Sequence, residues 1–306
     1  MSQPRVTGRT ILITGGAGFI GSHLADALVA DNDVIVLDDL SSGSRENVPD
    51  NARFVEGDIR DEGVVADVTK GVDLIFHEAA VVSVAQSIDE PEHCHDVNFD
   101  GTVTLLEAAR RQDARLVFAS SAAIYGDPDS LPIDESAPVD PHSPYGIDKC
   151  AADQYVRTYH DLYDLETVAL RYFNAYGPRQ TASDYSGVIS VFREQALAGD
   201  PITVDGDGSQ TRDFVHVEDI VQANLRAATT DHVGTAYNIG TGEETSIQAL
   251  AETIQGTVDT DSPIVHGEPR PGDIQRSRAD VTRARQHLGY EAEITLTDGL
   301  ATLFAE

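Results

Sequence analysis

Two residues one helical turn apart give the strongest indication of chemistry in this sequence. Tyr145 and Lys149 form a Tyr-x-x-x-Lys pattern at the start of a predicted helix, and a spacing of four places both side chains on one face. A free tyrosine has a pKa of about 10 and is a poor base, but a neighbouring ammonium group stabilises its phenolate. The chain has only two lysines among 21 basic residues, so a lysine here indicates a task that arginine cannot perform. The pair predicts a proton-transfer site.

A pair of hydroxyl groups is expected beside this site. Ser120 and Ser121 stand just after the apolar run Leu116–Phe118, which predicts a buried strand. Ligands of open α/β sheets bind at the carboxyl ends of the strands. A serine at that edge can share a hydrogen bond with the substrate oxygen that loses its proton.

A glycine-rich loop predicts a dinucleotide. Gly15, Gly18 and Gly21 follow a predicted strand and open a helix, whose N-terminus offers free N–H groups to a pyrophosphate. Asp38 ends the second strand, 17 residues beyond Gly21, where a carboxylate would hold a ribose 2′-hydroxyl and repel a 2′-phosphate. The pattern favours NAD over NADP, and Arg45 in the next loop is the one residue that argues for NADP.

The elements that must position these groups alternate between strand and helix. Apolar runs at 10–14, 34–37, 53–56, 72–76, 116–118 and 167–170 predict strands, and long helices are predicted over 97–111 and 145–163. Continuous apolar strands alternating with helices indicate an α/β fold, a Rossmann-type doubly wound parallel sheet. The expected layout is an NAD-binding domain over 1–176 and a smaller mixed α/β lobe over 177–306. The segment 213–240 is expected to rejoin the sheet.

Charge and composition restrict the partners. There are 52 acidic and 21 basic residues, a net charge of −31, which disfavours nucleic acid and anionic membranes as partners. This acidity indicates a halophile's protein. No apolar run approaches the roughly 20 residues of a membrane span, and no signal peptide is evident, so a cytoplasmic protein is expected. The two cysteines predict no disulfide framework, and the run His93–His95 is not expected to bind metal.

Further motifs resemble a known family along nearly the whole chain. The chain is similar to the extended short-chain dehydrogenase/reductases, specifically the nucleotide-sugar 4-epimerases that act on UDP-glucose and UDP-galactose or on UDP-N-acetylglucosamine. The likeness covers Gly15–Gly21, Leu37–Gly43, Gly57–Ile59, Ala79–Ala80, Asn98, Ser120–Gly126, Ser143–Tyr145, Arg171–Pro178, Gly206–Gly208, Arg212–Val217 and Arg270–Asp273.

The resemblance implies roles for individual residues. It implies Tyr145, Lys149 and Ser121 as catalytic residues. The cofactor and partners that it implies are NAD, a UDP-sugar substrate and a second copy of the chain in a homodimer. The cofactor residues it implies are Gly15, Gly18, Phe19, Ile20, Gly21, Asp38, Asp39, Ser42, Gly43, Asp58, Ile59, Ala79, Ala80, Asn98, Ser120, Tyr145, Lys149 and Tyr172. The substrate residues it implies are Ser121, Asn174, Val188, Arg212, Arg270, Asp273 and Ser277.

The reaction expected from the resemblance is 4-epimerisation of a UDP-hexose through a 4-keto sugar. Related dehydratases carry an Asp-Glu pair after the catalytic hydroxyl residue, and related decarboxylases keep the Glu, whereas this chain has Ala122 and Ala123. Ser277 occupies the position where a bulky residue excludes N-acetyl groups in related epimerases, so N-acetylated sugars are expected to enter as well. Val82 stands where some epimerases place a lysine near the nicotinamide.

Three other functions remain open on the sequence. One is UDP-glucuronate 4-epimerisation or another modification of a nucleotide sugar on the same scaffold. Another is a non-catalytic NAD-binding protein, against which the presence of both Tyr145 and Lys149 argues. The last is a plain dehydrogenase that releases NADH.

Overall fold

The main feature of the fold is a seven-stranded parallel sheet. The computed structural model describes residues 5–180, 187–258, 260–270 and 273–304. The strands of this sheet are β1 Thr10–Thr14, β2 Asp33–Asp38, β3 Arg53–Glu56, β4 Leu74–His77, β5 Arg115–Ser121, β6 Thr167–Tyr172 and β11 Thr235–Ile239. Their order across the sheet is β3-β2-β1-β4-β5-β6-β11. The prediction of a Rossmann-type sheet is confirmed.

Helices cover the sheet, and a smaller lobe follows it. The helices are α1 Phe19–Leu28, α2 Glu62–Val68, α3 Val84–Asp89, α4 Pro91–His95, α5 Gly101–Gln112, α6 Pro144–Tyr163, α7 Val188–Ala198, α8 Val217–Ala227, α9 Ile247–Val258, α10 Thr282–Leu288 and α11 Leu296–Leu303. The remaining strands are β7 Asn174–Tyr176, β8 Ile202–Asp205, β9 Thr211–Arg212, β10 Phe214–His216, β12 Thr245–Ser246 and β13 Ile264–Gly267. Among the described residues, no helix is long and apolar enough to cross a membrane.

Two apolar cores lie on opposite faces of the sheet. Ile11 and Ile13 of β1 point into one core, and Leu12 between them points into the other, because successive side chains of a strand alternate. All three are fully buried. This double burial explains why the strands read as continuous apolar runs. It also holds the carboxyl ends of the strands at one rigid edge.

The helix predicted over 97–111 differs from the structure. Helical residues extend from Pro91, which occupies the first turn of α4, to Gln112, with a π-helical turn over Asp96–Asp100. The wider turn lies where Asn98 bonds both backbone polar atoms of Val81, with distances of 2.8 Å to its nitrogen and 2.9 Å to its oxygen. The π turn therefore accompanies an attachment to the loop after β4.

The smaller lobe contains strand pairs that the sequence did not predict. Strands β7 and β10 pair in parallel, as do β8 and β13, and β9 pairs with β12 in antiparallel orientation. A third core, which includes Phe192, Ile202 and Leu250, packs this lobe together. These strands have two to four residues each, too short for an alternation pattern to be visible in the sequence.

A buried ion pair joins the long helix α6 to the sheet. Arg171 on β6 donates two hydrogen bonds of 3.0 Å to Asp153 on α6, and Ser120 on β5 donates to the same carboxylate at 2.8 Å. The side chains of Arg171 and Asp153 are 4% and 1% exposed. Burial of charge is costly unless every partner is present. The network therefore fixes the position of α6 against β5. It thereby also fixes the positions of Tyr145 and Lys149.

Removing one partner is expected to destabilise the protein. Arg171→Met leaves the Asp153 carboxylate buried without its main counter-charge and is expected to lower the free energy of unfolding by about 3–5 kcal/mol. Arg157→Met is the matched control, because Arg157 contacts the same carboxylate at 3.0 Å but lies partly in solvent. It is expected to cost less than about 1 kcal/mol. Urea unfolding in concentrated KCl measures both, and equal losses would contradict this account of the network.

Candidate active site

The candidate site is a cleft of about 870 Å³ between the carboxyl edge of the sheet and the smaller lobe. The residues that line it from the sheet side include Ser121, Tyr145 and Lys149. Those that line it from the lobe include Val188 and Arg212. A cleft of this size accommodates a nucleotide and part of a second ligand. The predicted site residues that line it are Phe19, Ile20, Ala80, Ser120, Ser121, Tyr145, Lys149, Tyr172, Asn174, Val188, Arg212, Arg270 and Asp273.

Lys149 is held inside the protein by helix α6. The helix begins with Ser143 as N-cap, which accepts a hydrogen bond from the Gly146 nitrogen at 3.1 Å. One turn further on, the Lys149 Nζ donates to the Ala119 carbonyl at 2.8 Å and lies 4.8 Å from the centroid of the Phe118 ring. Burial lowers the pKa of Lys149 to about 8. Its ammonium group is therefore an unsolvated charge directed at the end of β5.

Tyr145 and Ser121 are in contact with each other in the lining of the cleft. Burial raises the pKa of Tyr145, and hydrogen bonding with Ser121 lowers it in part. The Ser121 Oγ also accepts a hydrogen bond from the Ala123 nitrogen at 3.1 Å, which fixes the serine rotamer. Ser120 instead donates its hydroxyl to Asp153. The structure thus distinguishes the two serines, with Ser121 beside the tyrosine and Ser120 in the supporting network.

The glycine loop has the shape that a dinucleotide requires. Gly15 has a φ of +68°, and a Cβ there would lie 2.6 Å from the Ala79 nitrogen. A Cβ on Gly21 would lie 2.3 Å from the Gly15 oxygen, so strand and helix pack too closely for any side chain. Gly18 is the N-cap of α1 and has no side chain to accept from the first-turn N–H groups. These residues fit a bound pyrophosphate.

Asp38 lies at the end of β2, as the sequence predicted, but it already has backbone partners. One carboxylate oxygen accepts from the Ala17 nitrogen at 2.9 Å and the other from the Leu40 nitrogen at 2.8 Å. Each oxygen keeps a further lone pair for a ribose hydroxyl. Burial raises the pKa of Asp38. Arg45 is directed elsewhere, with its guanidinium 4.9 Å from the centroid of the Phe54 ring.

Several predicted cofactor residues shape the site without lining the cleft. Asn98 is 1% exposed and uses its amide on Val81, so its observed role is to hold the loop after β4. Asp58 accepts hydrogen bonds from Arg60. Asp39 accepts from Ser41. The predicted cofactor residues that do not line the cleft are Gly15, Gly18, Gly21, Asp38, Asp39, Ser42, Gly43, Asp58, Ile59, Ala79 and Asn98.

Arg212 and Arg270 bring positive charge to the lobe side of the cleft. Arg212 contacts Asp273 and donates to the Ile274 oxygen at 2.6 Å, while the exposed Arg270 lies 3.1 Å from Asp205. Both arginines are therefore paired with carboxylates that a bound anion would have to displace or share. Of the Arg270–Asp273 motif, Pro271 and Gly272 lie outside the described residues.

The other predicted substrate residues divide between the cleft and its wall. Val188 begins α7 and lines the cleft, as does Asn174, whose amide donates to the Asp213 oxygen at 3.2 Å. Ser277 is 8% exposed and lies behind the lining, where its nitrogen donates to the Thr211 oxygen at 3.2 Å. A larger side chain at Ser277 would therefore have to displace the wall beside Arg212.

Glu78 lines the cleft and is absent from the residues that the sequence indicated. It follows β4 directly, and its Oε1 accepts a hydrogen bond of 2.9 Å from the Tyr172 hydroxyl. Burial raises the pKa of Glu78 to about 7, although the positive charge of Lys149 acts to lower it. Its place after a buried strand, like that of Ser120, was the available signal in the sequence.

Two residues of the run His93–His95 have other surroundings in the structure. Cys94 is fully buried, and burial raises its pKa to about 11. His95 lies 2.8 Å from Asp148, which raises the pKa of the histidine. Across the parts of the chain that the structure describes, no group of three or more His, Cys, Asp or Glu side chains is arranged to hold a metal ion.

Comparison with known proteins identifies the family. The model of the NAD dependent epimerase/dehydratase family matches residues 11–240. The chain belongs to this family. It is 44% identical over 302 residues to the UDP-glucose 4-epimerase of Mycolicibacterium smegmatis, covering 95% of this chain and 96% of that one.

Solved structures agree with this assignment. A UDP-N-acetylglucosamine 4-epimerase from Methanobrevibacter ruminantium superposes with a TM-score of 0.93 at 34% identity, covering 98% of this chain and 99% of the other. The UDP-glucose 4-epimerase of Thermus thermophilus in complex with NAD gives 0.89 at 36% identity, covering 96% and 97%. The predictions of the family and of NAD as cofactor are confirmed.

Proposed function

We propose that this member of the NAD-dependent epimerase/dehydratase family inverts C4 of a UDP-hexose. The observation that carries the proposal is that Tyr145, Lys149 and Ser121 line the same cleft, with Ser121 in contact with Tyr145. Directly after Ser121, the chain turns through Ala122 and Ala123, which offer neither the acid nor the base that elimination or decarboxylation would use there. The relatives named as 4-epimerases support the same reaction.

In this proposal, the chain's own residues move one proton and hold the nucleotide. Tyr145 as phenolate takes the proton of the sugar 4-hydroxyl, and Ser121 shares the hydrogen bond to the same oxygen. Lys149 supplies the positive charge that stabilises the phenolate. Bound NAD would supply the chemistry of a reversible hydride acceptor for C4 of the sugar. Tyr145 then gives its proton back to the new 4-hydroxyl.

The lobe is proposed to hold the diphosphate while the sugar turns over. Arg212 and Arg270 are the cations of the cleft on that side, in a protein of net charge −31. Fixing the nucleotide by charge leaves the sugar with few constraints. Such an arrangement suits a 4-keto sugar that must present both faces to the same cofactor.

Sugars with an N-acetyl group are proposed to enter as well, because the small Ser277 lies behind the cleft wall beside Arg212 and does not push that wall into the cleft. Ser277→Tyr is expected to lower the ratio of kcat/KM for UDP-N-acetylglucosamine to that for UDP-glucose by about tenfold or more, since one steric clash costs about 1–3 kcal/mol. Ser277→Ala, which adds no bulk, is expected to keep the ratio. Activity on UDP-glucose reports whether each variant folds. An unchanged ratio in a folded Ser277→Tyr protein would contradict the open pocket.

The proposal is tested by incubating the protein with NAD and single nucleotide sugars in concentrated KCl. Chromatography should show UDP-galactose from UDP-glucose, UDP-N-acetylgalactosamine from UDP-N-acetylglucosamine, or both. UDP-glucuronate serves as the comparison substrate, because conversion of it alone would favour the uronate epimerase. Loss of carbon dioxide or steady growth of NADH absorbance would overturn the proposal in favour of a decarboxylase or a dehydrogenase.

The working environment and assembly are part of the same proposal. The net charge of −31 supports a protein that operates in a salt-rich cytoplasm.

A homodimer through α5 and α6 is supported by the large apolar side chains that α6 exposes, among them Tyr155, Leu162 and Tyr163.

A further inference from the structure

Glu78 occupies a position where a charge would act on the cofactor's reactive ring. It follows β4 in the centre of the sheet, between the strand that leads into the glycine loop and the strand that ends in Ser121. It lines the same cleft as Tyr145, Lys149 and Tyr172. A hydride can pass to the nicotinamide only if the ring lies against the sugar carbon that Tyr145 serves. Glu78 and Lys149 lie near enough for each charge to shift the pKa of the other group, so a ring held beside Lys149 lies within range of the Glu78 charge.

A chain of hydrogen bonds fixes the Glu78 carboxyl group. The Asn224 amide on α8 donates to the Tyr172 hydroxyl at 2.7 Å, and that hydroxyl donates to the Glu78 Oε1 at 2.9 Å. At its own backbone, the Glu78 nitrogen donates to the Thr14 oxygen at 3.1 Å. The preceding residue, His77, lies between Thr14 and Thr102, and burial lowers its pKa to about 3, so it adds no charge. The Glu78 carboxyl group is thus held in place near the ammonium of Lys149, and it is an anion above its pKa of about 7.

The two charges have opposite effects on the two states of the cofactor. The oxidised nicotinamide ring is positive and the reduced ring is neutral. Lys149 alone would disfavour the oxidised ring and pull the bound cofactor towards NADH, whereas a carboxylate at the same end of the cleft opposes that effect. An enzyme that must both take and return a hydride needs the two bound states near balance. Val82, where some related enzymes are expected to place a lysine, adds no further cation here.

We propose that Glu78 sets the oxidation balance of the bound cofactor by favouring NAD+ over NADH. The role rests on the position of the nicotinamide in the proposed function and goes beyond it, because it concerns the cofactor rather than the sugar. It differs from a structural role for Glu78, which would strengthen the binding of both cofactor forms equally.

Equilibrium dialysis against defined mixtures of NAD+ and NADH tests the proposal. It needs no sugar, and bound cofactor need not be removed from the protein beforehand. At pH 7.5, which lies between the pKa of Glu78 near 7 and that of Lys149 near 8, both charges are largely present. Glu78→Gln keeps an acceptor for the Tyr172 hydroxyl but removes the charge. It is expected to lower the bound NAD+ to NADH ratio by about tenfold, which is about 30 mV for a two-electron couple.

Two further variants separate charge at the ring from other effects. Glu78→Asp keeps the charge and is expected to stay within about threefold of the parent ratio. Glu291→Gln removes an exposed carboxylate outside the cleft and is expected to leave the ratio unchanged. An unchanged ratio in Glu78→Gln, or equal weakening of both cofactor forms, would overturn the proposal. Because the readout needs no sugar, absence of epimerisation would refute the proposed function and leave this result interpretable.

Discussion

Tyr145→Phe is expected to lower kcat for epimerisation by about 10³-fold while the protein still binds NAD. The phenol oxygen is the group that takes and returns the proton of the sugar hydroxyl, and general acid–base catalysis contributes typically 10²–10⁴-fold. The benzene ring of phenylalanine preserves the packing at the start of α6. Turnover of UDP-glucose measures the loss, and the same protein's NAD affinity shows that the site is intact.

Tyr155→Phe is the matched control for this variant. Tyr155 lies on the same helix, with its side chain partly exposed and its ring against Phe99. Removing its hydroxyl is expected to change kcat less than twofold. A Tyr145→Phe protein that kept more than about a tenth of its activity would show that another group is the base.

Lys149→Met is expected to abolish most activity and, at the same time, to make the folded protein more stable. Loss of the ammonium group removes the charge that supports the phenolate, and we expect kcat to fall by about 10²-fold or more. Burial lowers the pKa of Lys149 from 10.5 to about 8, so at pH 7 the folded state holds a charge at a cost of about 3 kcal/mol. The lost hydrogen bond to Ala119 offsets about 1 kcal/mol, leaving a net gain of about 2 kcal/mol. Glu78, which loses the opposing charge of Lys149, is expected to bind a proton in the variant and so to leave no unpaired buried charge.

The pH dependence of this gain follows from the direction of the pKa shift. Below pH 8, lysine is charged in both the folded and unfolded states, and the full cost is present. Between about pH 8 and 10.5, the unfolded state binds more protons than the folded state, so parent stability rises with pH relative to the variant. Urea unfolding without added NAD measures the free energies of unfolding of parent and variant at pH 7 and pH 10. The difference between them is expected to be smaller at pH 10.

Lys70→Met is the control, because Lys70 is the chain's other lysine. Its ammonium group is exposed and lies 2.7 Å from Asp67, itself exposed. An exposed ion pair of this kind is screened by solvent and contributes little, so neither activity nor stability should change appreciably. If Lys149→Met were less stable than the parent at pH 7, the cost assigned to its burial would be wrong.

The positions of the catalytic groups could be predicted because local rules determine them. Tyr145 and Lys149 share a face through the helical repeat, and Ser121 reaches the site because parallel strands end at one edge. The glycine loop was visible because its packing permits no side chain at Gly15 and Gly21. The buried strands could be predicted from their apolar runs alone.

The remaining features depend on contacts between distant segments. Glu78 becomes notable only when Tyr172, 94 residues away, donates to it. The π turn at Asn98, whose amide bonds Val81, is a second example, since no periodicity in the sequence indicates such a turn. The pairing of Arg212 with Asp273 likewise joins residues 61 positions apart. Spacing along the chain cannot reveal any of these contacts.

The most direct test of the central claim is proton NMR of UDP-glucose and UDP-N-acetylglucosamine incubated with the protein and NAD in concentrated KCl made up in D2O. The account predicts the matching galacto isomer with ordinary hydrogen at C4, because the hydride removed from C4 is the one returned to it. Deuterium at C4 would instead show exchange with solvent by deprotonation of the carbon. That result, or the absence of any isomer from either sugar, would contradict the mechanism assigned to Tyr145, Lys149 and Ser121.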